Sequence, residues 1–261
     1  MRVVKRGARS VHGTQSIRRA IDVLRQVAIY DRSGIRLVDV AQQLALDKST
    51  AYRILGCLES EKLLARKQPG QRYVLGPLAY EIGISASRRF PLATVARPHL
   101  QRMADQTGDA VFLSLRGGFE FVCIDKIEGT YPLKAYRLDV GVRRPLGLGA
   151  VGTAILSAIP AGEVSEVLAH NEAALAHYED TAVADALGAV IKAKRKGYSL
   201  QDRPPLGLRA VAVPLRGAHG DPLGAISISA LSSRLNSRRA TEIARMLKHE
   251  ARLIESKLGA A

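Results

Sequence analysis

Up to about residue 107 the apolar positions recur with the period of a helix. Thr14 or Ser16 can cap a first helix that runs to about Tyr30, with Ile17, Ile21, Leu24 and Ala28 as its core stripe. A loop, Asp31 to Gly34, follows. Leu37, Val40, Ala41 and Leu44 then fall at i, i+3, i+4 and i+7, and Ala51, Ile54, Leu55 and Leu58 repeat that spacing. The break between the two sets, Ala45 to Lys48, leaves room only for a turn. Asp47, or Ser49 just after it, can accept hydrogen bonds from the free amides that open the next helix, predicted over Asp47–Ser60. Leu63 to Lys67 and Arg72 to Leu75 read as two strands, with Pro69-Gly70 at the central positions of a type II turn. Pro77–Phe90 is predicted to be a connecting helix with Leu78 and Ile82 on one side, ended by Pro91. A further helix is expected around Ala96–Thr107, stopped by Gly108.

From Asp109 the period changes. AVFLSLRGGFEFVCIDKIEG reads as a hairpin turned at Gly117-Gly118, and YPLKAYRLDVG as a third strand. Gly141 to Pro145 is expected to be a polar bend, and the glycine loop after it opens a helix. Helix continues over Glu163 to His170, and another ends at Gly197. LRAVAVPLRGAHGDPLGAISISA reads as a hairpin turned at His219–Asp221, and a long helix, Ser237 to Leu258, closes the chain. Antiparallel hairpins interrupted by helices define an α+β domain. The organisation that follows is a basic arm over 1–13, three helices and a hairpin over 14–76, a linker helix over 77–90 and an α+β domain over 91–261.

Charge sharpens this division. The 261 residues carry a formal net charge of +15, and 47% of them are hydrophobic, enough for a real core. Residues 1–76 hold 15 Lys/Arg against 6 Asp/Glu, and residues 77–261 hold 24 against 18, so +9 of the +15 lies in under a third of the chain. Such a balance suits a polyanion, DNA or an acidic membrane surface. No apolar run is long enough to cross a bilayer, and no apolar segment follows the basic N-terminus as in a signal peptide. The two cysteines, Cys57 and Cys123, stand in no zinc or CxxC spacing and are expected to be reduced, partly buried thiols of a cytoplasmic protein.

The second of the paired helices carries the chemistry. Ser49, Thr50, Arg53 and Gly56 point away from its apolar stripe. Arg pairs with guanine edges and hydroxyls bind bases or phosphates, so Lys48, Ser49, Thr50, Tyr52 and Arg53 are the candidates to approach a major groove. Gly56 would let the backbone come close. The hairpin straight after it is basic, and Arg66, Lys67, Gln71 and Arg72 are candidates for the DNA backbone or minor groove. Three helices plus a basic hairpin describe a winged helix-turn-helix. Arg2, Lys5, Arg6 and Arg9 in the N-terminal arm can reach further phosphates; a tail with incidental charge is the plainer account.

Other motifs carry less. Gly147 to Gly152 spells GxGxxG, but a polar bend rather than a buried strand precedes it, and no strand ending in an acid follows at the needed distance. A nucleotide-binding enzyme built on that loop is therefore a minor alternative, and a nonspecific basic DNA-binding protein is another. A glycine loop that opens a helix does leave free amides, which suit a carboxylate; simple close packing of the loop is the other reading. The six histidines form no metal motif; His170 and His177, seven apart, fall roughly on one helix face without a third ligand. Ser227 and Ser229 alternate onto one face of a strand and can line a small polar-tipped pocket, or be bonded within the domain. No catalytic constellation and no cofactor motif is present, so an enzyme is not expected.

Several stretches together resemble the IclR (isocitrate-lyase-regulator) type of bacterial transcription regulators. They are QSIRRAIDVL, LDKSTAYRILGCLESEKLL, RYVLGPLAYEIG, RPHLQRMADQTGDAVFLS, VGVRRPLGLGAVGTAILSA, GYSL, LGLRAVAVPL and LGAISISA, in the family's order from about Thr14 to the end. The resemblance implies an N-terminal winged helix and a GAF-like α+β effector-binding domain with an antiparallel sheet. It implies a homodimer, often a tetramer, on double-stranded DNA at a near-palindromic promoter site, acting as repressor or activator. It also implies a small organic effector, often a carboxylate or aromatic acid. By that resemblance ligand contacts fall at Ala150, Val151, Asp202, Ala210, Ser227 and Ser229. Three positions depart from the family's pattern. Gly147 stands where a His is usual, Ala210 where some relatives use a Cys, and Gln201-Asp202-Arg203 replaces a longer acidic run, so an altered pocket is expected.

Overall fold

A computed structural model describes residues 14–31, 33–87, 91–132, 138–178, 183–203, 207–217 and 219–259. The basic arm, residues 1–13, lies outside them. The chain forms two compact units, Met1–Phe90 and Pro91–Ala261.

In the first unit α1 (Gln15–Ile29) is followed by α2 (Leu37–Gln43) and α3 (Lys48–Ser60). The strands β1 (Leu64–Lys67) and β2 (Arg72–Leu75) form an antiparallel hairpin, and α4 (Pro77–Ser87) ends the described part. Val40 and Ala41 of α2 and Ala51, Leu55 and Leu58 of α3 are buried, as their helical spacing requires. α1 differs from its expected stripe. Val23 and Val27 are fully buried with Gln26, whereas Ile17 is 60% and Ile21 40% exposed. The inward face of α1 is set by a polar contact as well as by apolar ones: the Gln26 amide donates to the Gln43 carbonyl oxygen, and the Tyr30 hydroxyl lies 3.4 Å from the same atom. Neither expected cap makes its side-chain hydrogen bond. Thr14 and Asp47 occupy the capping positions of α1 and α3, but by position alone.

The hairpin is tied back to the helices. Ile35 bridges Tyr73, and the Asp31 carboxylate accepts from the Leu75 amide at 2.7 Å. Its four-residue loop, 68–71, places Gly70 at φ +98°, the left-handed backbone that the turn asks of a glycine, and Gln71 follows at +52° after a cis Gln68–Pro69 bond.

In the second unit α5 (Leu92–Thr107) starts four residues before its expected beginning, with Pro91 at its capping position. Then come β3 (Ala110–Gly117), β4 (Glu120–Ile127), β5 (Arg143–Pro145), α6 (Gly149–Ser157), α7 (Ala161–Leu175) and α8 (Val183–Lys196). β6 (Ser199–Arg203), β7 (Leu208–Arg216), β8 (Pro222–Leu231) and α9 (Ser237–Gly259) complete it. Six antiparallel strands form one sheet in the order β5-β4-β3-β8-β7-β6. Four expectations are corrected here. The first hairpin turns at Gly118–Phe119. Arg143–Pro145 is an edge strand on β4, because its backbone continues that ladder. Ser199–Arg203 is a strand, although its mixed polarity hid it. The described residues of the expected third strand, 131–132 and 138–141, are not strand, and 133–137 lie outside the description.

Side chains of the sheet alternate between two cores. Val111, Leu113, Val211, Val213, Ile226 and Ile228 face α5 and α9. Ala210, Ala212 and Ala225 face α6, α7 and α8. Polar clusters pin α9. Buried Asp109 holds Arg239 at 2.6 Å and Arg234 at 3.2 Å. Buried His99 of α5 lies 2.5 Å from Glu250 of α9, which also accepts from Arg102 at 2.9 Å. Burial opposes charge on Glu250, but the bonds from His99 and Arg102, with the guanidinium charge, outweigh it and hold the carboxyl below its ordinary value.

A carboxyl with a lowered folded value stabilises fully above its unfolded value and loses that contribution as pH falls through the folded one. Glu250→Gln is therefore expected to be less stable than the unmodified chain at pH 7. The gap should close as pH falls below about 4, the ordinary range of a Glu carboxyl. Urea unfolding at a series of pH values checks this, and a gap that does not narrow at all as pH falls through the acid range would remove the ionised pair as its cause.

Candidate functional site

α3 presents one face to solvent. With Ala51, Leu55 and Leu58 turned inward, Lys48, Ser49, Tyr52 and Arg53 are exposed and Thr50 is half-buried. Tyr52 is 60% exposed. Arg53 has no hydrogen-bond or ion-pair partner among the described residues, so its guanidinium is available. A Cβ built on Gly56 would meet nothing within 4 Å, so the surface is open there, and Cys57 beside it is exposed rather than partly buried.

The wing divides its basic residues between two tasks. Arg66 spans from β1 to α3: its Nε lies 3.0 Å from Glu59 Oε1, its Nη1 donates to Gln71 Oε1 at 3.0 Å, and its guanidinium sits 5.2 Å from the Tyr73 ring centroid. The bond to Glu59 raises the Arg66 pKa above its ordinary value. Arg72 donates to the Gly34 carbonyl at 3.1 Å. Both were expected on phosphates; in the unbound protein they brace the wing against α3 and against the loop before α2. Lys67 and Gln71 are exposed near the hairpin tip. Arg66–Glu59 is a contact between helix and strand, and no local sequence signal marks it.

In the second unit the register brings several of the expected effector residues onto the α6 face of the sheet. Ser229 stands opposite Ala210 on β7 and Ala110 on β3; Ser227 stands opposite Ala212 and Phe112. Ala150 and Val151, in the first turn of α6, pack in one core with Ala210, Ala212 and Ala225. Five of the six expected effector residues thus come together. Asp202 does not. It alternates onto the opposite face and is taken by Arg209 and by the Ser232 hydroxyl at 3.0 Å. Gln201 holds the matching place in the row, opposite Ala210, with its amide 3.4 Å from Thr153 of α6. Gln201, Thr153, Phe112 and Ser114 were missed. Alternation back from Ala210 across β6 would have found Gln201, had that strand been recognised.

The glycine loop is explained by packing. Gly147 has φ +100°, and a Cβ there would come within 2.8 Å of Leu168. A Cβ on Gly152 would lie 2.9 Å from the Gly147 nitrogen. These approaches fold the loop against α7 and onto itself, which accounts for the letters GxGxxG without a nucleotide. The left-handed backbone at 147 itself favours a glycine. Burial, with Asp139 nearby, pushes the Cys123 thiol up to about 12, so it stays protonated. His170 stacks on Phe119 with centroids 3.8 Å apart, while exposed His177 lies beyond the end of α7, so the two do not share a helix face. Among the described residues no group of three or more His, Cys, Asp or Glu is placed to hold a metal, and no helix is long and apolar enough to cross a membrane.

A winged helix-turn-helix with an exposed basic face, followed by an α+β unit built on one antiparallel sheet, is the architecture of a two-part DNA-binding regulator. The comparisons agree. Residues 16–68 match the IclR helix-turn-helix domain, and residues 84–256 match the family described as bacterial transcriptional regulator IclR C-terminal. The chain belongs to the IclR family of DNA-binding transcription regulators. It is 27% identical over 251 residues to the HTH-type transcriptional regulator BhcR of Paracoccus denitrificans, covering 94% of this chain and 88% of that one. It is 26% identical over 238 residues to the transcriptional repressor IclR of Escherichia coli, covering 89% and 86%. Among solved structures the Thermotoga maritima IclR superposes with a TM-score of 0.67 at 28% identity, covering 94% of this chain and 99% of that one. An IclR homolog from Microbacterium hydrocarbonoxydans, complexed with 4-hydroxybenzoate, superposes at 0.72 with 23% identity, covering 95% and 100%.

Two substitutions separate base reading from phosphate attraction. Arg53→Ala is expected to cost about 1–3 kcal/mol at the preferred sequence and to relax base preference. Lys67→Ala should weaken all sequences alike and reduce the slope of log affinity against log salt by about one. Fluorescence anisotropy on preferred and scrambled duplexes over a salt series reads both.

Proposed function

We propose that the chain is a dimeric, sequence-specific transcription regulator whose second unit binds a small organic acid. The observation that carries the DNA half is the free, exposed Arg53 beside Ser49 and Tyr52 on a helix whose opposite face is fixed by burial. Lys48, Ser49, Thr50, Tyr52 and Arg53 enter the major groove, and Lys67 and Gln71 follow the adjacent backbone. Arg66 and Arg72 hold the wing at the angle this needs.

Dimerisation is supported by apolar side chains that the first unit leaves outside its own core. Ile17 and Ile21 lie one turn apart on α1, and Tyr80 and Ile84 one turn apart on α4, with Ile82 also exposed. An exposed apolar surface of this kind suits a second copy, which would set two reading helices on the two halves of a near-palindrome. The effector reading rests on Ser227 and Ser229 beside Ala210, and on the first turn of α6, whose amides favour a carboxylate. The relative bound to 4-hydroxybenzoate supports an acid of that general class. The effector acts by binding one arrangement of the dimer better than another, which changes the spacing of the reading helices.

Selection of binding sequences from random duplexes, with and without a panel of organic acids, tests this reading. A near-palindromic consensus whose affinity shifts with one acid is expected; binding governed by salt alone, with no consensus, would overturn it. Ile17→Asp with Ile84→Asp is expected to sediment as a monomer in its first unit and to bind the full palindrome at least about 100-fold more weakly, while half-site binding changes little.

A further inference from the structure

Ser114 of β3 is completely buried, and its hydroxyl has no hydrogen-bond partner among the described residues. Such a group gives up water for nothing, so it persists where something else completes it. Its place in the sheet shows what that is. Ser114 stands opposite Cys123 on one side and Ala225 on the other. Ser227 stands between Phe112 and Ala212, and Ser229 between Ala110 and Ala210. In each of the three rows the β3- or β4-side neighbour belongs to a small apolar cluster of Ala110, Phe112 and Cys123. The neighbour on the other side belongs to the core built around α6. The three hydroxyls therefore line a seam between two apolar clusters, and Leu138 packs against both. Two steps of two residues spread the three rows over about 14 Å along the strands.

We infer that Ser114 is a specificity-determining residue of the effector site, bonding a hydroxyl or carbonyl oxygen that the effector carries beyond its carboxylate. This rests on the effector reading above and narrows it to acids with an apolar body and a second polar group. Phe112 and the alanines at 110, 210, 212 and 225 supply the apolar walls; Ser227 and Ser229 hold the rest of the polar edge. The other unpartnered buried hydroxyl, Ser199, lies in the Ser227 row but two strands away on β6, outside the seam.

The test titrates the full chain calorimetrically with matched carboxylates that differ by one hydroxyl, such as benzoate with 4-hydroxybenzoate and butanoate with 4-hydroxybutanoate. Ser114→Ala and the double variant Ser227→Ala, Ser229→Ala are compared with the unmodified chain, and each is also melted without ligand. The unmodified chain is expected to favour the hydroxylated member of a pair by about tenfold or more, the order of one hydrogen bond. Ser114→Ala should bind both members alike and melt at or above the unmodified temperature, since it removes an unsatisfied hydroxyl. An unchanged preference in Ser114→Ala, with the double variant losing binding, overturns this inference and leaves the effector reading intact. A lowered melting temperature with equal loss of both members assigns Ser114 a structural role and also overturns it. If no pair binds the unmodified chain, the effector reading fails and takes the inference with it.

Discussion

A helix of thirteen residues can bury only one stripe, and in α3 that stripe is Ala51, Leu55 and Leu58. Every property of its exposed surface depends on this. With those three side chains inward, the helical repeat turns Ser49, Tyr52 and Arg53 outward. Rotation of α3 would drive a polar group into a core that holds Val23, Val27, Val40 and Leu64. The wing then fixes α3 from its other end, through Glu59 and Arg66. In the unbound protein the Arg66 guanidinium makes its bonds within the unit, to Glu59 and Gln71.

The second unit obeys the same kind of constraint with a period of two. Each strand of the sheet divides its side chains between the α5–α9 core and the α6 side. Because register is unbroken across β3, β8 and β7 through these rows, a serine every second residue becomes a line of hydroxyls. The same rule sends Asp202 to the other face. One strand position decides whether an acid or the neutral Gln201 amide looks toward α6, and here it is the amide. Together with Gly147, which carries no side chain, this gives the α6 side of the sheet little charge of its own.

What could be read from the sequence followed from local periodicity. The paired helices, the wing, the glycine-opened α6, the last hairpin and α9 all carry strong patterns, and the resemblance to the family ordered them. What could not be read depended on partners distant in the chain. Ile17 and Ile21 are apolar and correctly spaced, yet the intramolecular core lies under Val23 and Val27, because Gln26 binds Gln43 on that side. The ion pair of Arg66 with Glu59 is equally invisible in the sequence. Ser199–Arg203 has too mixed a polarity to announce an edge strand, so the alternation that separates Gln201 from Asp202 could not be read. Ser114 needs a full account of hydrogen bonds, which only a three-dimensional arrangement supplies.

The central claim is that the outward side of α3 lies against base edges. Replacing Tyr52 with a photoreactive benzoylphenylalanine and irradiating the complex with its selected duplex tests it most directly. The account predicts cross-links to major-groove bases at one symmetric position in each half-site. Cross-links confined to the sugar-phosphate backbone, or none in a complex that still forms, would contradict it.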